Sequence, residues 1–189
     1  MGLAPTDLPD RIDLAKMIAG ACVLRGTFTL RSGQTSSYYI DKYLFSTRPE
    51  VLGPLGVMFA ERIRALESAL GVRVDRLAGA ELGGIPLVAA ASLASGLPTL
   101  FVRNAKKDYG TAKRLEGALS RGERVVFVED VATTGGQALE AVEVLREAGA
   151  EVVAVFATID RLQGARKNVE RAGMRFESLF TKRDLGIED

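Results

Sequence analysis

Apolar residues follow two alternating patterns along most of the chain. Short apolar runs rich in β-branched residues are typical of strands buried on both faces of a sheet. Apolar positions spaced by three and four residues predict helices. The predicted strands are 76–79, 98–102, 125–128, 151–157 and 176–181. The predicted helices are 10–25, 49–70, 85–95, 139–148 and 163–172. The alternation from residue 76 onward predicts a parallel sheet with helices on both faces.

The N-terminal part breaks this alternation after the first helix. Gly26 is predicted to end that helix, in the position usual for a C-terminal stop. Residues 27–41 then hold two β-prone runs around a Ser-Gly turn, which predicts a hairpin. The hairpin is either a small structural flap or part of a binding site. Its polar side chains suited to flat ligands are Arg31, Ser36, Tyr38 and Tyr39.

Residues 125–137 combine a strand, two acids and a small turn. The apolar run ends in Glu129 and Asp130, and residues 133–137 read Thr-Thr-Gly-Gly-Gln before the next helical pattern. A turn of this kind at a helix N-terminus directs backbone N–H groups and a positive dipole end toward an anion. Glycine lets the backbone approach a phosphate closely. The sequence therefore predicts a phosphate site.

The two carboxylates make this prediction more specific. A loop built for phosphate alone would not place two negative charges beside it. A ligand with a phosphate at one end and vicinal hydroxyls near its middle suits both parts, and a ribose 5-phosphate fits that description. The alternative is an ordinary strand-to-helix turn whose acids, Glu129 and Asp130, cap the helix.

A basic segment, residues 103–117, separates two predicted strands. Residues 103–114 hold five basic side chains against one acidic, a net charge of +4. Such a loop is either solvated or a lid for a polyanion. Ligands bind at the carboxyl ends of parallel strands, and four polar segments are expected there. They are 79–84, 103–117, 129–137 and 160–161.

Composition narrows the chemistry. The chain has 25 basic and 24 acidic residues, a net charge of +1, which does not indicate a nucleic-acid or membrane partner. It has no histidine, which excludes histidine bases, Ser-His or Cys-His pairs and histidine-ligated zinc. Its one cysteine, Cys22, suits a reducing compartment, and residues 1–10 lack the features of a signal peptide. A cytoplasmic location is expected.

The central motif closely resembles the phosphoribosyl pyrophosphate (PRPP) motif of the type I phosphoribosyltransferases. Four other segments are similar to orotate phosphoribosyltransferases, so that the resemblance spans about residues 14–185; these segments are 28–33, 83–86, 103–110 and 160–161. The resemblance implies an α/β fold in which helices flank a central parallel sheet. It also implies a flexible basic loop and a single domain, 1–189, with about 1–48 forming a hood or flap.

The resemblance also implies a reaction and the residues that serve it. Orotate and PRPP would give orotidine 5′-monophosphate and pyrophosphate, in pyrimidine biosynthesis. Mg²⁺ would be held mainly by PRPP and water. The implied catalytic residues are Arg103, Lys107 and Asp130. The implied PRPP-binding residues are Arg103, Lys107, Tyr109, Glu129, Asp130, Val131, Ala132, Thr133, Thr134, Gly135, Gly136 and Gln137. The implied orotate-binding residues are Arg31, Tyr39, Ile40, Thr133 and Arg161. A homodimer would share the basic loop across subunits.

The chain departs from the family pattern at several of these positions. Tyr109 stands where histidine is usual, and Asn104 where a second basic residue is frequent. Leu82 and Gly83 stand where some members have Tyr-Lys, and Arg31 stands where other members often have lysine. Two alternatives stay open: a phosphoribosyltransferase for another base, and a PRPP-sensing regulator without catalysis.

Overall fold

The computed structural model describes residues 8–29, 33, 35–104 and 114–188. The helices are α1 (Arg11–Cys22), α2 (Lys42–Ser46), α3 (Pro49–Leu70), α4 (Gly84–Ser95), α5 (Gly136–Glu147) and α6 (Ala165–Arg171), with a final 3₁₀ turn at Lys182–Leu185. The strands are β1 (Val23–Thr29), β2 (Thr35–Ile40), β3 (Arg76–Ala80), β4 (Thr99–Val102), β5 (Leu115–Glu116), β6 (Arg124–Ala132), β7 (Glu151–Asp160) and β8 (Arg175–Thr181).

Six strands form the central sheet, in the order β5-β4-β3-β6-β7-β8. All neighbours pair in parallel except β4 and the two-residue edge strand β5. The predicted parallel α/β architecture is therefore confirmed. Because β3 and β6 are adjacent, with β4 and β7 on their outer sides, the segments that follow these four strands meet at one edge of the sheet.

Strand β6 supplies side chains to both faces of the sheet, which explains its unbroken apolar run. Val126 and Val128 belong to one core cluster, with side chains of α1, α3 and α4. Val125 and Phe127 belong to the other, with side chains of α5 and α6. All four side chains are fully buried. This double burial fixes the register of the strand and so the position of its polar end.

The predicted hairpin is confirmed, but the predicted end of the first helix is wrong. Strands β1 and β2 pair antiparallel, with Val23 opposite Ile40. Helix α1 already ends at Cys22, and Gly26 lies inside β1, where the register shifts between Arg25 and Phe28. Strand pairing has replaced the last predicted turn of helix, and Gly26 falls in the bulge of the strand.

Two other expectations need adjustment. Strand β6 continues to Ala132, so Glu129 and Asp130 lie within the strand rather than after it. Helix α2 and strand β5 were not predicted; they span five and two residues, too few to show a periodic pattern. In the part of the chain that the structure describes, no helix combines the length and apolarity needed to span a membrane.

Candidate active site

The acidic pair lies at the centre of the sheet edge and is buried. Asp130 is 0% exposed and Glu129 8%. The backbone N–H of Val131 donates to Asp130 Oδ1 at 2.6 Å, and the N–H of Asp130 donates to Glu129 Oε1 at 3.3 Å. Lys42 Nζ lies 3.0 Å from Asp130 Oδ2 and 3.4 Å from Oδ1. The contact with Oδ2 is an ion pair without hydrogen-bond alignment, so Oδ2 has no hydrogen-bond partner in the described structure.

Burial and mutual charge shape the titration of this cluster. Burial first, and then the charge of Asp130, raises the pKa of Glu129 well above its ordinary value. Burial alone would lower the pKa of Lys42. The charge of Asp130, its hydrogen bond and the charge of Glu129 outweigh that effect and raise the pKa of Lys42. Lys42 is therefore charged at neutral pH, and it partly neutralises the acidic pair.

The turn after β3 approaches Asp130 closely because it has glycine at the point of contact. A Cβ on Gly83 would overlap Asp130 Oδ2 and lie 2.7 Å from Asp130 Cγ. A Cβ on Gly79 would lie 2.7 Å from the carbonyl oxygen of Gly84. The peptide bond between Glu81 and Leu82 in this turn is cis. A side chain at Gly83 would push this turn away from the acidic strand, and one at Gly79 would push the start of α4 away from β3.

The turn between β6 and α5 has its carbonyl groups bound on one side. The N–H of Arg161 donates to the carbonyl oxygen of Ala132 at 2.9 Å, and that of Ala165 to Thr133 at 3.1 Å. The Asn168 side chain donates to the carbonyl oxygen of Thr134 at 2.9 Å. Since a peptide's N–H points opposite to its carbonyl group, these bonds orient the following N–H groups toward the other side.

On that other side, no side chain caps the N-terminus of α5. Gly135, at φ 81°, is the N-cap of α5, and no side chain there accepts from the first turn. The first turn also holds no acidic residue. A cavity of about 350 Å³ lies against it, lined by the turn and by Glu129. The unbound N–H groups and the helix dipole together suit a phosphate group.

The next strand end, after β7, presents a guanidinium group held by the hairpin. Arg161 Nη2 donates to the Tyr38 hydroxyl at 3.1 Å, and the Arg161 guanidinium lies 5.5 Å from the centre of the Tyr38 ring. Its Nε is buried without a hydrogen-bond partner. Arg161 therefore keeps a donor for a ligand, and Tyr38 ties the N-terminal hairpin to the sheet edge.

Both ends of the basic loop lie within the described residues, at Arg103 and Asn104 on one side and at Arg114 on the other. They form the loop base, where the loop leaves and rejoins the sheet. The N–H of Arg103 donates to the carbonyl oxygen of Arg114 at 2.8 Å. The N–H of Asn104 donates to Glu81 Oε1 at 2.7 Å, and its side chain to the carbonyl oxygen of Glu81 at 3.2 Å. Arg103 Nη1 lies 3.9 Å from Glu116, and its Nε is buried without a hydrogen-bond partner.

Comparison with known proteins identifies the family. The phosphoribosyl transferase domain family matches residues 58–177. An orotate phosphoribosyltransferase from Pyrococcus abyssi is 42% identical over 174 residues, covering 92% of this chain and 93% of the relative. This chain belongs to the orotate phosphoribosyltransferase family. It is accordingly an enzyme, a pentosyltransferase.

Solved structures agree with this assignment. The Mycobacterium tuberculosis orotate phosphoribosyltransferase in complex with Fe(III) dicitrate superposes with a TM-score of 0.81 at 32% identity, over 95% of this chain and 100% of that one. The same enzyme in complex with PRPP gives a TM-score of 0.77 at 32% identity, with the same coverage. The type I phosphoribosyltransferase fold expected from the sequence is thereby confirmed.

The structure brings most of the predicted site residues of this phosphoribosyltransferase to one edge of the sheet. The acidic pair, the turn at residues 131–137, Arg103 and Arg161 all lie there. Tyr39 is 46% exposed and packs against Phe28, with ring centres 5.7 Å apart. Ile40 is 8% exposed, with its side chain in the core, so a contact with a base would use its backbone.

Three predicted residues, Arg31, Lys107 and Tyr109, lie outside the described residues. Conversely, Lys42 was not expected in the site, whereas Glu81 belongs to the predicted segment 79–84 but had no predicted role. Lys42 reaches Asp130 across 88 positions of the chain, and Glu81 reaches Asn104 across 23. A basic residue directly after the hairpin, beside Asp41, was the only available signal for Lys42.

Proposed function

We propose that this enzyme is an orotate phosphoribosyltransferase, which transfers the ribose 5-phosphate of PRPP to orotate. The products are orotidine 5′-monophosphate and pyrophosphate, and the reaction belongs to pyrimidine biosynthesis. The names of the relatives support this substrate pair, and a related enzyme has been crystallised with PRPP. The account of residues below rests on the geometry of this chain.

One observation carries the proposal: buried polar atoms of three predicted site residues lack hydrogen-bond partners. Within the described ranges, five buried side-chain polar atoms lack a partner, and three of them are Arg103 Nε, Asp130 Oδ2 and Arg161 Nε. Buried polar groups are normally satisfied, so a group of exceptions at one site indicates a ligand. Two donors and one acceptor match a ligand set with anionic groups and hydroxyls.

The sugar and its phosphate fit the β6 strand end. The 5-phosphate would accept hydrogen bonds from the N–H groups of residues 133–137, in the cavity beside the N-terminus of α5. The ribose hydroxyls would donate to Glu129 and to Asp130 Oδ2. This pairing explains why a phosphate site has two carboxylates beside it.

Orotate fits between Arg161 and the hairpin. Its carboxylate would accept from the guanidinium, whose planar fork matches a carboxylate. Tyr38 holds that guanidinium at 3.1 Å. Tyr39, the next residue of the strand, has an exposed ring and stays a proposed contact of the base. Thr133, Ile40 and Arg31 stay proposed contacts of the base.

The pyrophosphate would leave on the side of the loop base. The bond between ribose C1 and the pyrophosphate oxygen breaks with its electron pair going to pyrophosphate, while N1 of orotate, having lost its proton to water, forms the new bond to C1. Positive charge develops on the sugar near the acidic pair, and negative charge on the leaving group near Arg103. Lys107 and Tyr109 are proposed to act on the same leaving group.

Mg²⁺ fits the donor chemistry of this site. In the described portion of the chain, no three acidic, Cys or His side chains cluster as a metal site. Glu129 and Asp130 are nonetheless hard oxygen groups that can accept hydrogen bonds from water on Mg²⁺. We propose that PRPP and water hold the ion, which when bound supplies positive charge to the pyrophosphate group.

The proposed assembly is a cytoplasmic homodimer in which the basic loop covers the neighbour's site. Light scattering on the purified protein measures the dimer, and an active monomer would contradict it. Mixing Lys107→Ala with Arg161→Ala tests the shared loop. A hybrid dimer has one site with both defects and one with neither, so activity returns if the loop acts across subunits, and stays absent if it acts within its own.

A base panel tests the proposed substrate. The enzyme is incubated with PRPP, Mg²⁺ and one of orotate, uracil, adenine, guanine or hypoxanthine, and pyrophosphate release is measured. We expect release with orotate alone, since only orotate brings a carboxylate to Arg161. Release with a purine base would point to a different phosphoribosyltransferase. PRPP binding without turnover on any base would favour a regulator.

A further inference from the structure

Lys42 reaches the acidic pair from outside the central sheet. It is the first residue of α2, which directly follows strand β2 of the hairpin. The carboxylate of Asp41 accepts from the N–H of Tyr43 at 3.2 Å and caps this short helix. The Lys42 ammonium also lies 5.5 Å from the centre of the Tyr43 ring. From this position the side chain reaches Asp130 of β6.

The Lys42–Asp130 pair is open on one side and closed on the other. The Lys42 side chain is 32% exposed, whereas that of Asp130 is 1% exposed. Asp130 therefore has a fixed position, and Lys42 can move toward the pocket that it lines together with Arg103 and Asn104. Lysine suits such movement because a flexible four-carbon stem carries its three donors.

Substrate binding, as proposed above, brings a competitor for the same oxygen. Asp130 Oδ1 already accepts from the N–H of Val131 and, at 3.4 Å, from Lys42, so a ribose hydroxyl would bind Oδ2, where the Lys42 ammonium already lies 3.0 Å away. A half-buried ammonium that loses its anion needs another, because an unpaired charge in such a site is costly. The diphosphate of PRPP would bring several negative charges to the pocket that Lys42 lines.

We propose that Lys42 exchanges partners during the reaction cycle. In the free enzyme it neutralises Asp130, and in the PRPP complex it binds the diphosphate while the ribose hydroxyls take its place on Asp130. This inference rests on the proposed function insofar as PRPP is the ligand. It assigns the hairpin end a part in holding PRPP, in addition to the residues of the sheet edge.

The test compares two ligands that differ only in the diphosphate. Binding of PRPP and of ribose 5-phosphate, each with Mg²⁺ and without a base, is measured by calorimetry for the wild type, Lys42→Met and Lys42→Arg. Lys16→Met serves as the control, because Lys16 is an exposed lysine of α1 paired only with Asp13 among the described contacts. Thermal melting checks that each variant is folded.

Lys42→Met is expected to bind PRPP roughly 10- to 100-fold more weakly, the loss of a charge-assisted contact. It should bind ribose 5-phosphate as well as the wild type or a few-fold tighter, because a competitor for Asp130 is gone. Lys42→Arg should keep PRPP affinity within about 5-fold, as the charge remains. If Lys42→Met is unfolded, Lys42→Gln, which keeps a donor to Asp130 but no charge, takes its place.

Three results would overturn the exchange. Equal losses for both ligands would show that Lys42 only supports the fold of the acidic strand. Unchanged PRPP affinity would show that Lys42 does not reach the diphosphate. If the wild type binds neither ligand, the proposed function fails with it. If the wild type binds PRPP and turns over orotate, but Lys42→Met changes the affinity for PRPP and for ribose 5-phosphate equally, only the role of Lys42 fails and the proposed function stands.

Discussion

Replacing Arg161 by alanine is expected to weaken the binding of orotate and to leave the binding of PRPP nearly unchanged. The guanidinium group binds the hairpin in the described structure, through the Tyr38 hydroxyl at 3.1 Å and the ring at 5.5 Å. Its backbone N–H holds the carbonyl oxygen of Ala132 at 2.9 Å, and any residue at position 161 can keep that bond. The change therefore removes a contact with orotate and leaves the turn at residues 133–137 in place.

The magnitude follows from the contacts that a carboxylate would make. Hydrogen bonds to a charged group contribute about 1.5–3 kcal/mol, which corresponds to a roughly 10- to 150-fold loss of orotate affinity. PRPP affinity should change by less than about 3-fold, below 1 kcal/mol. Arg161→Lys keeps the charge but not the planar fork, so its orotate affinity should fall between those of the wild type and the alanine variant.

Calorimetric titration of each ligand separately is the assay. Arg171→Ala, at an exposed position of the neighbouring helix α6, is the control and should bind both ligands as the wild type does. Equal losses for orotate and PRPP in Arg161→Ala would refute the reasoning. They would mean that Arg161 orders the whole strand end and does not select the base.

Three other changes test the surroundings of the site. Gly83→Ala should reduce turnover about 100-fold, since a misplacement of about 1 Å at the acidic pair can cost that much. Gly20→Ala, with open space around its Cβ, is the control and should keep wild-type turnover. Near-normal turnover of Gly83→Ala would refute the steric argument. Asn168→Ala should raise the KM for PRPP several-fold by releasing a turn carbonyl, with orotate binding at saturating PRPP unchanged. Glu129 binds its proton more tightly in the folded protein, so its contribution to stability is greatest below about pH 4.5 and falls as pH rises toward its raised pKa. Glu129→Gln should therefore melt higher than the wild type at pH 8 and not at pH 4, and a difference that is the same at both pH values would contradict this.

The sequence predicted those parts of the fold that local patterns determine. The run at residues 125–128 was recognisable as a strand because Val126 and Phe127 face different core clusters, so every position is apolar. The acids and the turn after it are contiguous with that strand, and so their position at the sheet edge could be predicted as well. The end of α1 could not, because pairing of Val23 with Ile40 competes with the helix, and helix periodicity contains no information on that partner.

The rest of the site depends on contacts between distant segments. The pairing of Lys42 with Asp130 needs the hairpin to lie over the sheet edge, and no periodic pattern encodes that placement. The need for glycine at position 83 likewise arises only when the turn meets Asp130. Tyr38 was noted as a ligand-type side chain, but its hydrogen bond to Arg161 joins residues 123 positions apart.

Turnover of Asp130→Asn tests the central claim most directly, namely that the buried acidic pair beside the phosphate turn is where PRPP reacts. Initial rates of PRPP-dependent orotate loss are compared for wild type and variant at saturating substrates, with thermal melting measured on the same samples. We predict a fall in turnover of roughly 100- to 1,000-fold, the usual effect of removing a group that stabilises transition-state charge, with the cooperative melting transition retained. Turnover close to that of the wild type in a folded Asp130→Asn variant would contradict the assignment of this site.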